Sequence, residues 1–318
     1  MKSVCDPTKL VANPEVSVSL LTYNQQDTIG RALDSILAQE TTFDYEIIVG
    51  DDCSDDGTQE ILYDYQARYP DKIQLVLHPR RYKNEVPGRT NNMTNLSNCR
   101  GKYTAMLDGD DYWLGTDKLQ SQYDIMESDA DLVMAAHDTQ VNFFDHNDEL
   151  ISTKLNCERC PHKLTTGKYD RSEFFKGVEN RIHVSSLFFR TRTFKYFPSN
   201  FRDVVGADEY IMQLLAASGK IYYSRDVKSA YQKHSKGFTA NPAFYNIDML
   251  LQRLNDYDIF ASLYEDTAIK SAYRRGKSRM VWKIFRYCRK NKRSILKTVP
   301  HLHKMLTYDL AAYLLSRK

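Results

Sequence analysis

Little in this sequence ties it to a special class of protein. Six cysteines among 318 residues are too few for a disulfide framework in a chain of this length, and they read as small buried hydrophobes in a reducing cytoplasm. Cys157 and Cys160, with His162 nearby, make half of a zinc site. A structural zinc takes four ligands, no second close pair exists, and recruiting Cys53 or Cys99 would disturb a more interesting part of the chain, so zinc is not expected. No apolar run is long enough to cross a bilayer. Residues 1–14 mix Lys2, Asp6, Pro7 and Lys9 without an apolar core, which excludes a signal peptide there. Repeats and low-complexity segments are missing. The net charge of only +3 gives the whole molecule no electrostatic address.

What is present is alternation of strand and helix. Residues 16–21 and 45–49 read as strands, each followed by a helical segment: residues 27–39, with Ile29, Leu33, Ile36 and Leu37 on one face, and a second helix carrying Ile61, Leu62 and Tyr65. Residues 73–77 and 103–107 are further strands. This order predicts an α/β fold with ligands at the carboxyl ends of the strands. Beyond it, residues 118–127 read as helix, 132–136 as strand, 141–166 as mostly loop, 184–189 as strand, 208–218 as helix and 221–223 as a short strand. From about residue 241 the pattern turns helical.

Chemistry gathers at three strand ends. The strand ending at Leu107 opens into Asp108-Gly109-Asp110-Asp111-Tyr112-Trp113. In extended backbone, residues two apart face the same way, so Asp108 and Asp110 would point together, with Gly109 leaving room for a ligand to approach. Two such carboxylates suit a hard cation that completes its shell with water and diphosphate oxygens, although an acidic turn at a strand end needs no function. Asp51 and Asp52 end another strand on the same rim, where a carboxylate can accept from a pyrimidine imide or ribose hydroxyls. Asp55, Asp56 and Gly57 read as turn and helix-cap chemistry. The first strand delivers Thr22, Tyr23 and Asn24 to that rim, where an aromatic ring could stack on a base.

These motifs resemble the family 2 glycosyltransferases of the GT-A fold. The resemblance rests on residues 16–24, on residues 46–58 and on Gly101-Lys102-Tyr103 leading into residues 107–113, and together it covers roughly residues 15–125. Members of this family that build bacterial polysaccharides are the nearest likeness. It implies a GT-A (Rossmann-like) mixed sheet flanked by helices, in a domain over residues 1–240. A nucleotide-sugar half would span about 15–125 and an acceptor half about 126–240, followed by a helical, basic C-terminal region over 241–318. It implies that Tyr23 and Asp52 contact the nucleobase, that Asp108 contacts the ribose or the metal, and that Asp110 holds the metal, Mg²⁺ or Mn²⁺. Many relatives carry an Arg-Asn pair before the Gly101 strand; here Gly88-Arg89-Thr90-Asn91 stands instead, with Arg89 as a candidate for the diphosphate. Farther on, Asp208 opens a helix. By likeness it is the general base, with Glu209 as substitute, while its bland alternative is a helix cap. His234 stands where relatives place a histidine facing metal or diphosphate, and a structural histidine is the alternative.

The implied activity is inverting transfer of a sugar from a nucleotide-sugar donor, a UDP-sugar, to a hydroxyl of a glycan or lipid-linked acceptor in surface polysaccharide synthesis. Two rivals stand beside it. A sugar-phosphate nucleotidyltransferase would show a Gly-rich, basic loop after the first strand, where this chain has Thr22-Tyr23-Asn24-Gln25-Gln26-Asp27. A membrane-associated nucleotide-sugar-binding scaffold without catalysis would have no need of Asp108, Asp110 and Asp208 together. Twelve lysines and arginines lie between Lys270 and Lys297, among them Lys292, Arg293 and Lys297, while Val281, Ile284, Phe285 and Cys288 follow helical spacing. A basic helix with an apolar stripe suits an anionic membrane surface, here the inner face of the cell membrane, or a solvated helix packed on the core. No nucleic-acid-binding motif accompanies the basic run, so nucleic acid is not expected as a partner.

Overall fold

The computed structural model describes residues 2–79, 86, 88–159, 164–174, 182–194, 197–234, 237 and 246–291. Cys160, His162, Lys292, Arg293 and Lys297 therefore lie outside the described residues. The elements run β1 (Lys2–Val4), β2 (Val16–Thr22), α1 (Ile29–Leu37), β3 (Tyr45–Asp51), α2 (Thr58–Arg68), β4 (Ile73–Leu77), α3 (Arg89–Asn98) and β5 (Tyr103–Asp108). Next come β6 (Tyr112–Trp113), α4 (Lys118–Glu127), β7 (Leu132–Phe144), β8 (Leu150–Leu155), β9 (Gly167–Tyr169), α5 (Arg171–Phe174) and β10 (Phe188–Arg190). The chain continues through α6 (Ala207–Ser218), β11 (Lys220–Lys233), α7 (Ile247–Ser262) and α8 (Thr267–Lys290).

Eleven strands form one mixed sheet in the order β1-β4-β3-β2-β5-β10-β7-β11-β6, with β8 paired to β7 and β9 to β11. Strands β4, β3, β2 and β5 are mutually parallel, so Leu77, Asp51, Thr22 and Asp108 end at one edge. The chain builds outward from β2 to β3 and β4, then returns to place β5 on the other side of β2. Such a reversal opens a crevice at the strand ends, the usual ligand position in open α/β sheets.

The two sheet faces differ in chemistry. Val16, Val18, Leu20, Ile47 and Val49 pack with Ile29, Leu33 and Ile36 of α1, which recur at helical spacing, in one apolar cluster. On the opposite face Ser17 and Ser19 are fully buried beside polar α3. Asn95 Nδ2 donates to the carbonyls of Leu20 and Ile48 at 3.0 and 2.9 Å, and Asn91 Nδ2 to Gly50 at 2.8 Å. Helix α3 thus grips β2 and β3 by hydrogen bonds rather than by an apolar stripe.

Three sequence expectations are corrected and one helix is added. Among the described residues of 141–166 loop is not the rule: β7 runs to Phe144 and returns as β8, whose side chains are largely exposed and carry no readable apolar period. The short strand expected at 221–223 is the start of fourteen-residue β11, whose far half pairs with β7 through polar neighbours such as Thr139 and Ser229, 2.9 Å apart. Residues 184–186 form a 3₁₀ turn, leaving only Phe188–Arg190 as strand. Helix α3 went unread because its buried side of Arg89, Asn91, Asn92, Asn95 and Leu96 is mostly polar.

A second core cluster, on the other side of the sheet, contains Met134, Phe189, Phe201, Tyr210 and Leu215 together with Phe260, Tyr264, Ile269 and Tyr273 of the C-terminal helical region. Helices α7 and α8 pack closely; a Cβ on Gly276 would lie 2.5 Å from the Tyr257 ring. Asn246 and Asp266 cap the two helices through their own side chains. No helix of the described residues is long and apolar enough to cross a membrane.

Fully buried Glu46 joins the base of the sheet to the segment before β5. It accepts from Ser17 Oγ at 2.6 Å, from the Arg100 backbone N–H at 2.9 Å and from Arg100 Nε at 2.8 Å. Glu46→Ala is expected to lower unfolding stability by about 1–3 kcal/mol, the cost of leaving the buried donors it satisfies without an acceptor, while exposed Arg100 turns to water. Urea denaturation checks this, and a loss below about 0.5 kcal/mol would reduce the network to the value of a surface pair.

Candidate active site

The strand-end crevice between β2 and β5 collects the acidic residues. Gly109 N–H donates to Leu21 O at 2.8 Å, tying the turn after β5 to β2, and Asp111 N–H closes the turn onto Asp108 O at 3.0 Å. The convergence therefore comes from a turn and not from strand alternation, since β5 stops at Asp108. The turn also draws in Asp111, which the spacing did not place with the other two: carboxylate oxygens of Asp108, Asp110 and Asp111 lie within 4.8 Å of one another. Gly109 has another purpose than the expected one. A Cβ there would stand 2.5 Å from Gln25 Oε1 and 2.9 Å from Ile29 Cδ1, so glycine admits neighbouring protein and leaves no room for a ligand.

The far side of the turn is latched to β11. Asp111 Oδ1 accepts from the Gln232 backbone N–H at 2.9 Å, and His234 Nε2 lies 3.4 Å from Asp110 Oδ2. His183 Nδ1 is 3.6 Å from Asp111 Oδ2, and its ring stacks on Tyr231 with centroids 4.2 Å apart. Nothing in the sequence marked His183; a lone histidine before a 3₁₀ turn carries no pattern. Asp208 sits in the first turn of α6, near enough to Asp108 to act on its charge.

Burial and like charge dominate the electrostatics of this group. Burial, then the negative charges of Asp110 and Asp208, push the Asp108 carboxyl up to about 8. Burial and the same kind of repulsion, from Asp110 and Asp108, raise Asp111 well above the carboxylate range. Oδ2 of Asp111 is buried without a hydrogen bond. Clustered oxygen donors, strained by their own charge, fit a hard divalent cation. Asp108, Asp110 and Asp111 could hold one, with His234 beside them.

A second group lies where β2, β3 and β4 end. Thr22 and Asp52 are buried, Asp52 N–H donates to Thr22 O at 3.0 Å, and Tyr23 follows half-buried. Buried His78 after β4 joins them, a residue the sequence did not single out. Burial holds its pKa below the usual value, against the opposing pull of Asp52. Asn24, expected on the rim, has left-handed backbone (φ 50°) and turns to the next loop, where Nδ2 donates to Asp55 at 2.6 Å and Oδ1 accepts from Asp55 N–H at 3.0 Å. Arg89, the candidate for the diphosphate, is buried with its guanidinium on the carbonyls of Val204 and Val205 and over the Phe201 ring. Glu209, the substitute base, receives Arg253 Nη2 at 2.6 Å.

Comparison with known proteins meets this geometry. A profile of glycosyl transferase family 2 matches residues 17–187, more than half of the chain. An uncharacterized protein of Mycobacterium tuberculosis is 28% identical over 223 residues, 70% of this chain and 60% of its own length, so the match spans well under two thirds of that relative. The putative teichuronic acid biosynthesis glycosyltransferase TuaG of Bacillus subtilis is 37% identical over 114 residues, 36% of this chain and 42% of TuaG. Among solved structures, a Pyrobaculum calidifontis mannosyltransferase in complex with GDP-Man and Mn²⁺ superposes with TM-score 0.57 at 16% identity, over 98% of this chain and 86% of its own. Staphylococcus aureus TarS 1-349 in complex with UDP-GlcNAc gives 0.55 at 15% identity, over 94% and 89%. At such identities the likeness speaks for the fold, a mixed sheet flanked by helices.

The repulsion predicts opposite signs for one variant. At neutral pH and above, Asp108→Asn should raise the thermal midpoint of the protein in EDTA by roughly 2–4 °C, because it removes a carboxyl whose charge burial, then repulsion, disfavours in the folded chain, and about 1 kcal/mol moves a chain of this size by that much. It should also reduce any further rise on adding Mn²⁺, since a ligand of the folded chain alone raises its midpoint. Differential scanning fluorimetry reads both; a lower midpoint in EDTA would contradict the stated electrostatics.

Proposed function

The chain belongs to glycosyl transferase family 2, and from that membership we propose an inverting glycosyltransferase that moves a sugar from a UDP-sugar to a hydroxyl of a glycan or lipid-linked acceptor in surface polysaccharide synthesis. The observation that carries it is the meeting of Asp108, Asp110 and Asp111 with Asp208 at the strand-end crevice. The UDP-GlcNAc complex of TarS supports a uridine donor, and TuaG, named for teichuronic acid biosynthesis, supports a surface polymer as destination.

In this reading Asp108 and Asp110, with Asp111 beside them, hold Mg²⁺ or Mn²⁺, and His234 stands next to Asp110. The bound cation supplies Lewis-acid stabilisation of the negative charge that builds on the leaving diphosphate. Thr22, Tyr23 and Asp52 bind the nucleoside, and Asp108 is also within the family's ribose position. Asp208 accepts the proton of the acceptor hydroxyl as its oxygen bonds to the anomeric carbon. The bond from that carbon to the diphosphate oxygen breaks, the electron pair leaves with UDP, and attack from the opposite face inverts the centre. Asn24, expected on the rim, and Arg89, the candidate for the diphosphate, act instead through the backbone segments they hold.

The rival of a scaffold that binds donor without chemistry differs in one readout. A panel of UDP-sugars with Mn²⁺ is expected to give UDP release by the unmutated chain and at least about 100-fold less by Asp208→Asn, the low end for losing a general base. UDP affinity should be unchanged in that variant and lost in Asp110→Asn. Donor binding without release by the unmutated chain would favour the scaffold.

In this reading the reaction takes place at the cytoplasmic face of the membrane, and α8 supports it. That helix has no acidic residue, and Arg275, Arg279, Trp282, Arg286 and Arg289 share its exposed side, with Trp282 against Phe285. Basic side chains around an exposed tryptophan suit an anionic headgroup layer. Arg279→Ser with Arg286→Ser is expected to weaken binding to phosphatidylglycerol vesicles about 30-fold, at about 1 kcal/mol per basic residue. Sedimentation with neutral phosphatidylcholine vesicles as strong as with anionic ones would count against it.

A further inference from the structure

The peptide that carries Asp208 into the site has no local means of holding its place. Gly206 caps α6 without a side-chain hydrogen bond, and the preceding residues 199–203 form only a 3₁₀ turn. Its polar backbone is met from two other elements. From α3, Arg89 donates one guanidinium nitrogen to the carbonyls of Val204 and Val205, while its planar group lies 4.8 Å from the Phe201 ring centroid. From α7, Asp256 accepts the Val205 N–H at 3.0 Å and the Gly206 N–H at 3.2 Å. Asp256 is 2% exposed and Arg89 equally so. One residue past Asp208, Arg253 of α7 holds Glu209 at 2.6 Å.

This clamp has a specific geometry. Carbonyls on one side and amides on the other fix both orientations of the peptide planes at 204–206, which lead into the first turn of α6. The Asp256 charge also lies at the positive end of that helix, where an anion is favoured. A hydrogen-bonded carboxylate in the interior would otherwise be a poor choice for stability alone, because burying charge is costly and apolar packing does the same work. Arg89 and Arg253 both offset the Asp256 charge, so buried Arg89 and Asp256, with half-exposed Arg253 at their edge, link α3, α7 and the 204–209 segment. Asp256 and Arg253 lie beyond the matched family region, which ends at residue 187.

We propose that Asp256 of α7, together with Arg89 of α3, is a positioning residue that sets the Asp208 carboxylate relative to the acidic cluster, so that the C-terminal helical region is part of the catalytic apparatus. The proposal rests on the reading of Asp208 as general base. Displacement of a reacting group by about 1 Å can lower a rate by about 100-fold, which sets the scale of the effect. Arg253 steadies the same turn by restraining Glu209.

The test uses the full chain with UDP-GlcNAc and UDP-glucose as donors and Mn²⁺ present. Asp256→Asn keeps the shape but can accept only at one oxygen. The expected result is a fall in kcat for UDP release of about 10-fold or more, with the Kd for UDP unchanged by calorimetry. Hydrogen exchange in a peptide covering residues 204–210 should quicken while the sheet keeps its protection. Arg253→Gln, a half-exposed position that leaves the core intact, should give a smaller fall of the same kind and serves if Asp256→Asn does not fold. Asp208→Asn is run beside them. If Asp208→Asn is dead and both α7 variants release UDP at the unmutated rate, the clamp is overturned while the base reading stands. If Asp208→Asn releases UDP normally, the base reading is overturned and the positioning proposal with it. A loss of UDP affinity equal to the loss of rate would also overturn the proposal, because the clamp would then support the site as a whole and not Asp208.

Discussion

Mutual repulsion among carboxylates is the constraint around which this structure is arranged. Asp108, Asp110 and Asp111 crowd into one turn, Asp208 is near enough to act on the charge of Asp108, and burial together with like charge drives two of the four well away from their ordinary ionisation. Left to themselves such groups would spread into water. They are kept together because each sits on a backbone that is tied from elsewhere: Gly109 to Leu21, Asp111 to Gln232, and the segment before Asp208 to Arg89 and Asp256. Strain of this kind is the ordinary signature of a site shaped for a charge it has to receive.

The same constraint explains why polar residues are buried where a plain α/β protein would place leucine. Asn91 and Asn95 fix α3 to the ends of β2 and β3 through carbonyls, and Asp256 reaches the amides of a loop. Hydrogen bonds specify direction in a way that apolar contact does not, and the crevice needs direction. The C-terminal helices share in this. Phe260, Tyr264 and Tyr273 lie in the same core as α6, and Tyr264 Oη donates to Gln213 of that helix.

How far the sequence could be read follows from that division of labour. Strands β2 to β5 were legible because their apolar residues recur and turn signals bound them, and residues 73–77 and 118–127 come out with the bounds expected. The acidic rim was legible too, since Thr22, Asp51 and Asp108 close parallel strands. What escaped was whatever is held by polar contact. Helix α3 buries asparagines, β8 is mostly exposed, and β11 continues through serine, lysine and glutamine. At the site, periodicity could not anticipate that a turn would add Asp111 or that His183 would come up beside it. Spacing also misled at Gly109, where a small residue suggested open space and marks a close approach of protein to protein.

The central claim is that these aspartates are held in repulsion to receive a divalent cation together with a nucleoside diphosphate. Anomalous diffraction at the manganese edge, from crystals grown with Mn²⁺ and UDP, tests it most directly. The account predicts one strong peak bonded to carboxylate oxygens of Asp108 or Asp110 and to the diphosphate. UDP bound in the crevice with no manganese at these aspartates would contradict it.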